Sequence, residues 1–268
     1  MEPNNSFTLL DKYQIPVVEA NHGYHLVLAS PGCGKTHILA ERIRYAKEKG
    51  VQYEDMLCLT FTNRAAREMT NRIQKVVGGD STELMVGNVH RFCSKFLFEE
   101  DKIPADSAII DDEEAVSIIA DYRNEDEEGA TRDFNRYKGY QTIIFFQHFI
   151  YQMEHQHPWK FYLHPESFTD DDREAIKQIC KSQKREYNEQ AVIEIYHHAQ
   201  QYMDEANVPG LDAKTADRIR VLLWKMYYAA CYAQYKEENH LLDFEDLLLR
   251  LTTSTEPMIH VSVISGFR

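Results

Sequence analysis

The sequence predicts an α/β protein with a parallel sheet covered by helices on both faces, joined to a second part that is mostly α-helical. Three observations indicate this. A glycine-rich loop stands between an apolar run and a helical pattern, and strand-like and helical segments alternate up to about residue 100. From about residue 103 to residue 240, helical periodicity continues alone. Alternating strands and helices are typical of a parallel sheet.

Three short apolar runs are predicted to be buried strands, and each is followed by an amphipathic helical pattern. The strands are expected at Tyr24–Leu28, Met56–Thr60 and Leu84–Val86. Helices should follow, with the first ended by Gly50 and the second by Gly78 and Gly79. Their apolar faces are predicted to hold Ile38, Leu39, Ile43 and Ala46 in the first, Ala65, Ala66, Met69, Ile73 and Val76 in the second, and Phe92, Phe96 and Leu97 in the third.

The second part of the chain is predicted to be helical because its apolar residues recur at helical spacing. The stripes are Ala115/Ile118/Ile119/Tyr122, Ile195/Ala199/Met203 and Leu223/Met226/Tyr227/Ala230. The tyrosine-rich segment from Trp224 to Tyr235 has the spacing of a helix packed in a core, which we prefer to a base-stacking surface. Asp243 is placed to cap a last helix.

Composition and charge restrict the class of protein. The chain has 268 residues, of which 43% are hydrophobic, so it can bury a sizeable core. The polar, acidic segment Met1–Asp11 has no signal-peptide pattern and no apolar run is long enough to span a bilayer, so we expect a cytoplasmic protein without membrane contact. Its five scattered cysteines are expected to be free thiols. The pairs His155/His157 and His197/His198 have no accompanying ligands, which disfavours a metal role.

The net charge of −13 is unevenly distributed. The stretch from Glu99 to Glu128 is strongly acidic, and we interpret it as a solvated helical face. The stretch from Thr60 to Phe98 is predominantly basic, with Arg64, Arg67, Arg72, Lys75, Arg91 and Lys95. Because phosphate contacts need positive charge, any nucleic acid is expected to bind to the second stretch.

The glycine-rich loop has the composition of a phosphate-binding loop. Gly32 and Gly34 allow the backbone N–H groups to turn toward phosphate oxygens, and the following helix adds its positive end. Lys35 can reach the β- and γ-phosphates, and the Thr36 hydroxyl can bind Mg²⁺. The sequence therefore predicts a site for ATP and Mg²⁺. Its predicted phosphate-binding residues are Ala29, Ser30, Pro31, Gly32, Cys33, Gly34, Lys35 and Thr36.

Four further segments, in order along the chain, resemble those of UvrD/Rep-type superfamily 1 ATP-dependent DNA helicases. The most specific of them contains Thr-Phe-Thr-Asn-x-Ala-Ala, and Ala29 in place of the usual glycine is similar to the UvrD/Rep form of the loop. The segments are Leu10–Gln14, Leu57–Met69, Val86–Phe92 and Leu242–Leu248. The resemblance implies a RecA-like motor domain over residues 1–102 and 241–268, with an all-α insertion over residues 103–240.

The resemblance also implies roles for individual residues. Gln14 pairs with adenine, with His37 beside the base where the family usually has arginine. Single-stranded or partly duplex DNA is expected to contact Phe61, Thr62, Asn63, Arg64, His90 and Arg91. An exposed aromatic ring can stack on a base, and polar donors can hold the phosphate and sugar backbone. Asn88-Val89 in place of the usual Thr-Phe alters one expected contact.

The last residues depart most from the family. UvrD/Rep helicases have a strand ending in Asp-Glu-x-Gln-Asp, whose acids hold Mg²⁺ and position water. Ile259–Ile264 matches such a strand, but no acids follow it before Arg268. We therefore expect a truncated helicase that hydrolyses ATP poorly. A non-catalytic nucleotide-binding, DNA-binding or protein-interaction remnant is one alternative, and an unrelated phosphate-loop kinase or transferase is another.

Overall fold

A computed structural model describes residues 10–78, 81–156, 162–205 and 211–254. The predicted strand at Ile259–Ile264 lies outside the described residues, as does Gly79. Within the described ranges the chain forms two compact units, one running to Phe96 and the other beginning at Leu97. No helix within these ranges combines the length and apolarity that crossing a bilayer requires.

The first unit alternates strands and helices, as predicted for most of its length. Its elements are α1 (Ile15–Glu19), α2 (Lys35–Glu48), β1 (Leu57–Thr60), α3 (Asn63–Val77), β2 (Met85–Asn88) and the start of α4 (Val89–Glu99). Strands β1 and β2 pair in parallel, with Leu57 opposite Met85 and Thr60 opposite Asn88. The predicted helical faces are confirmed at Leu39, Ile43, Met69 and Ile73, which are buried in one core together with Tyr53 and Cys58.

The predicted strand over residues 24–28 is wrong. These residues form no strand, and the side chains of Tyr24, Leu26 and Leu28 are 99%, 85% and 85% exposed. An apolar run becomes a buried strand only if neighbouring strands accept its backbone hydrogen bonds and helices cover its faces. Within the described residues, the sheet of this unit consists of β1 and β2 paired with each other. The mixed α/β class is confirmed, whereas a larger RecA-like sheet stays a prediction.

The second unit is built mainly from helices. Its elements after the end of α4 are β3 (Ala108–Ile109), α5 (Asp112–Tyr122), α6 (Glu127–Arg132), α7 (Phe134–Glu154), α8 (Asp170–Ser182), α9 (Glu189–His197), α10 (Ala199–Glu205), α11 (Ala213–Glu238), β4 (Leu241–Leu242) and α12 (Phe244–Ser254). The short strands β3 and β4 pair in parallel, a feature that the helical pattern does not predict. The division at residues 102 and 241 into a motor domain and an insertion stays a prediction.

The core of the second unit lies around α7 and α11. Phe146, Ile150, Leu222, Met226 and Tyr232 are fully buried there. The prediction that the tyrosine-rich segment packs in a core is confirmed for Tyr232, but Trp224 is 44% exposed. The predicted cap of α12 is also confirmed, because Asp243 Oδ1 accepts a hydrogen bond of 3.0 Å from the Asp246 backbone N–H.

Candidate functional site

The glycine-rich loop ends where α2 begins, in a conformation that requires glycine at two positions. Gly32 and Gly34 have φ angles of +82° and +75°, which L-residues with side chains rarely adopt. Gly34 caps α2, and its carbonyl accepts hydrogen bonds from the N–H groups of His37 at 2.8 Å and Ile38 at 3.0 Å. The N–H groups of Lys35 and Thr36 therefore stand at the positive end of a 14-residue helix, a favourable position for phosphate oxygens.

The Lys35 side chain folds back over the loop. Its ammonium donates hydrogen bonds of 2.9 Å to the backbone carbonyls of both Ala29 and Ser30. These two hydrogen bonds hold the positively charged Lys35 ammonium beside the turn that Gly32 and Gly34 make. The residues present therefore fit a phosphate group, since two glycines, a helix N-terminus and an ammonium group meet within a few residues. Thr36 is half-buried in the first turn of α2.

Gln14 lies beside the loop, although nineteen positions separate it from Cys33. Its side-chain amide donates to the Cys33 carbonyl at 3.5 Å, and an added Cβ on Gly34 would lie 3.6 Å from the same nitrogen. The structure thus brings together two segments that the sequence assigns to one site. On the neighbouring turn of α2, His37 Nε2 lies 3.9 Å from a carboxylate oxygen of Glu41.

The predicted DNA-binding residues lie after the ends of β1 and β2. Thr62 caps α3 by accepting a hydrogen bond of 3.1 Å from the Ala65 N–H. Asn63 accepts one of 3.2 Å from the Asn88 side-chain amide, which links the ends of the two strands. Asn88 in turn accepts one of 2.8 Å from the Arg91 N–H. The Phe61 ring is 70% exposed between β1 and α3.

An open pocket of about 400 Å³ extends from this edge. Asn63 and Arg91 line it, together with Ala66, Arg67, Thr70 and Val86. Arg67 and Thr70 were not among the predicted site residues. Their positions four and seven residues after Asn63 place them on the same face of α3, so helical spacing could have indicated them. Two guanidinium groups and the Asn63 amide make this pocket suited to an anion, whereas the Thr70 hydroxyl donates to the Ala66 carbonyl.

A buried polar cluster in the second unit was not predicted either. Asp243 Oδ2 accepts hydrogen bonds from His148 Nε2 at 2.9 Å, the Tyr232 hydroxyl at 2.7 Å and the Lys236 ammonium at 2.8 Å. His148, Asp243 and Glu245 lie close enough together to hold a metal ion. The Lys236 ammonium already neutralises the same Asp243 oxygen, however, so a cation there would meet a buried positive charge. We therefore interpret the cluster as structural.

A first unit in which a glycine-rich loop begins a helix and two strands pair in parallel defines a mixed α/β protein. Within that class the sequence identifies the family. The sequence model of one protein family, the UvrD/REP helicase N-terminal domain, matches residues 10–263. The chain therefore belongs to the UvrD/REP helicase N-terminal domain family, as the order of its sequence segments predicts.

Curated relatives are similar over about two fifths of the chain. The "ATP-dependent DNA helicase PcrA" of Staphylococcus aureus (strain Mu50) is 38% identical over 112 residues, which are 40% of this chain and 15% of that protein. The "ATP-dependent DNA helicase srs2" of Schizosaccharomyces pombe is 35% identical over 105 residues, 38% of this chain and 12% of the relative. The "ATP-dependent DNA helicase PcrA" of Bacillus subtilis is 32% identical over 120 residues, which are 43% of this chain and 16% of that protein. The matches thus span less than a fifth of each relative's length.

Proposed function

We propose that this chain is the ATP-binding N-terminal portion of a DNA helicase that couples ATP hydrolysis to movement along single-stranded DNA and to unwinding. Family membership and the names of the relatives support this. In this proposal residues 1–102 and 241–268 belong to a RecA-like motor domain, and residues 103–240 form its helical insertion. The observation that carries the proposal is the glycine loop, with Lys35 and Gln14 converging on it.

Each residue of the nucleotide site has a proposed task. The Gln14 side-chain amide pairs with the adenine edge, and His37 lies beside the base. The N–H groups of the loop and of the first turn of α2 bind phosphate oxygens, and the Lys35 ammonium neutralises the β- and γ-phosphates. The Thr36 hydroxyl is a ligand for Mg²⁺, which supplies charge neutralisation when it is bound.

The proposed DNA path follows the ends of β1 and β2. Phe61 stacks on a base, and the polar groups of Thr62, Asn63, Arg64, His90 and Arg91 hold the sugar–phosphate backbone. The pocket beside Asn63 adds Arg67 and Thr70 to this path, because its two guanidinium groups match a phosphate. The mode of binding is therefore independent of base sequence.

We expect a polypeptide of these 268 residues to turn ATP over slowly. After Thr252 its sequence carries one acid, Glu256, and no Asp-Glu pair follows the apolar run 259–264. Since phosphoryl transfer needs a positioned metal and water, a polypeptide without these acids should turn ATP over orders of magnitude more slowly than one that has them. The kinase alternative loses support because the chain belongs to a helicase family.

The DNA path is tested by fluorescence anisotropy with a labelled oligo-dT strand over a range of salt concentrations. We expect Arg67→Gln and Arg91→Gln each to weaken binding and to reduce the slope of log K against log salt by about 0.7, the value for one phosphate contact on a single strand. Arg132→Gln is the matched control, because Arg132 is an exposed arginine in the second unit that pairs with Glu128. Unchanged slopes in both test variants would contradict the proposed path.

A further inference from the structure

One face of α11 carries apolar side chains at alternating spacings of three and four residues. We call it the aromatic stripe, and it consists of Val221, Trp224, Tyr228, Cys231 and Tyr235. Val221 and Trp224 are 58% and 44% exposed, and the other three are half-buried. The opposite face of the helix supplies Leu222 and Met226 to the core, and Tyr228 packs against that core, whereas Val221 and Trp224 remain exposed. Alternating spacing of this kind forms the seam when two helices pack together.

Tyr122, at the end of α5, and Arg123, the residue after it, lie against the aromatic stripe and widen its exposed surface. Tyr122 is 39% exposed and its ring meets that of Tyr235 edge-on, with centroids 6.2 Å apart. The Arg123 guanidinium lies 5.8 Å from the Trp224 ring and 5.2 Å from the Tyr228 ring. Tryptophan, tyrosine and arginine are the residues that contribute most often to binding energy in protein interfaces. The composition of this surface therefore fits recognition of another protein.

Acidic side chains lie at the ends of the stripe and beside Arg123, and some of them are paired with arginine. Asp217 and Glu238 continue its three-and-four spacing at either end of α11, while Asp121 and Glu125 flank Arg123 in sequence. Glu125 pairs with Arg123, and Asp217 pairs with Arg220. Burial raises the pKa of the Tyr122 phenol, and so do Cys231, Glu238, Tyr235 and Asp121, so the negative field of the rim reaches the stripe. Such a rim repels a phosphate backbone and attracts cationic groups.

We propose that the aromatic stripe docks an amphipathic helix of a partner protein, with apolar side chains at three-and-four spacing flanked by lysine or arginine. The apolar side chains cover Val221 and Trp224, and the basic ones meet Asp121 and Glu238. A cationic side chain can also lie over the exposed Trp224 ring. A helix of this kind matches the spacing, the aromatic composition and the charge of the surface.

The test measures binding of a designed, fluorescently labelled helical peptide to the full chain by anisotropy. The peptide carries leucine at three-and-four spacing with flanking lysines, and its twin carries glutamate in place of lysine. We expect the lysine peptide alone to bind, and added salt to weaken that binding. The double variant Val221→Gln, Trp224→Gln should bind about tenfold more weakly. Phe134→Gln, at an exposed aromatic residue on α7, is the matched control and should bind as the wild type does.

A second variant keeps the test valid if the glutamine substitutions disturb folding. Glu238→Lys reverses one exposed rim charge without touching the core, and it should also weaken binding of the lysine peptide. Equal binding of both peptides, or no binding, would contradict the proposal. Binding of a labelled single-stranded oligonucleotide that Val221→Gln, Trp224→Gln weakens would instead assign the surface to nucleic acid. Self-association that Trp224→Gln abolishes, measured by sedimentation, would assign it to a second copy of the chain.

Discussion

The pKa of the Asp243 carboxyl group is set by the residues that surround it. Burial by itself would raise the pKa of its carboxyl group, but the charges and hydrogen bonds of His148 and Lys236 hold that pKa well below its usual range. Burial would also lower the pKa of the Lys236 ammonium, which Asp246 and Asp243 raise instead. Because the pKa of Asp243 is lower in the folded state, its contribution to stability is present at neutral pH. That contribution is lost as the pH falls below about 4, the unfolded-state value.

Replacing Asp243 with asparagine should destabilise the second unit by about 3 kcal/mol at neutral pH, because the buried Lys236 loses one of its two carboxylate partners. Urea unfolding followed by tryptophan fluorescence measures this. Asp121→Asn, at an exposed acid, is the control and should change stability by less than about 0.5 kcal/mol. The difference between wild type and Asp243→Asn should shrink toward pH 3, roughly a unit below the unfolded-state pKa. A difference independent of pH would count against the assigned ion pairs.

At the scale of elements, α3 depends on the residue that precedes it. The Thr62 hydroxyl accepts a hydrogen bond from the Ala65 N–H, which satisfies one of the free donors at the start of the helix. Asn63 and Arg67 belong to the same helix, and both line the pocket. The start of α3 therefore positions the candidate DNA edge as well as stabilising the fold.

Thr62→Ala should destabilise the first unit by about 1 kcal/mol, the usual cost of losing an N-cap. Thr62→Ser is the matched control, because serine retains the hydroxyl and should unfold at nearly the wild-type denaturant concentration. Hydrogen exchange of the first-turn amides of α3 measures the local effect. Equal exchange in the alanine and serine variants would show that the cap contributes nothing.

The elements predicted correctly are those whose signals are local. Gly34 and Gly50 bound α2, Gly78 ends α3 and Asp243 begins α12, because caps and helical stripes depend on residues within a few positions. Residues 24–28 could not be predicted in the same way, since strand formation depends on partners distant in sequence. The pairing of β3 with β4 was missed for the same reason, as more than 130 positions separate them.

Distance in sequence also separates the predictable and unpredictable parts of the candidate site. The phosphate loop is contiguous, so its glycines, Lys35 and Thr36 could be found by spacing alone. The pocket combines residues of α3, β2 and α4, and only the fold shows that Arg67, one of several arginines in the basic stretch, lies with Arg91 in one pocket. In the same way, the aromatic stripe resembles a core pattern in sequence. Only the burial of the opposite face distinguishes the two.

At the scale of the whole molecule, the charge distribution separates two kinds of surface. The net charge is −13, yet the edge after β1 and β2 presents arginines, while the end of α5 and the C-terminal end of the aromatic stripe are acidic. A protein organised in this way can bind a nucleic acid strand at the basic edge and repel it elsewhere. Both proposed surfaces are consistent with this division.

The central claim is that Lys35 and its loop bind nucleotide, and a fluorescent ATP analogue tests it most directly. Binding and phosphate release would be measured with Mg²⁺, with and without oligo-dT, for the wild type and Lys35→Ala. We predict binding by the wild type that falls at least about tenfold in Lys35→Ala, with slow turnover in both, since the ammonium would neutralise phosphate charge. Lys49→Ala, at an exposed lysine beyond the end of α2, is the control and should bind normally. Equal affinity of Lys35→Ala and the wild type would contradict the account.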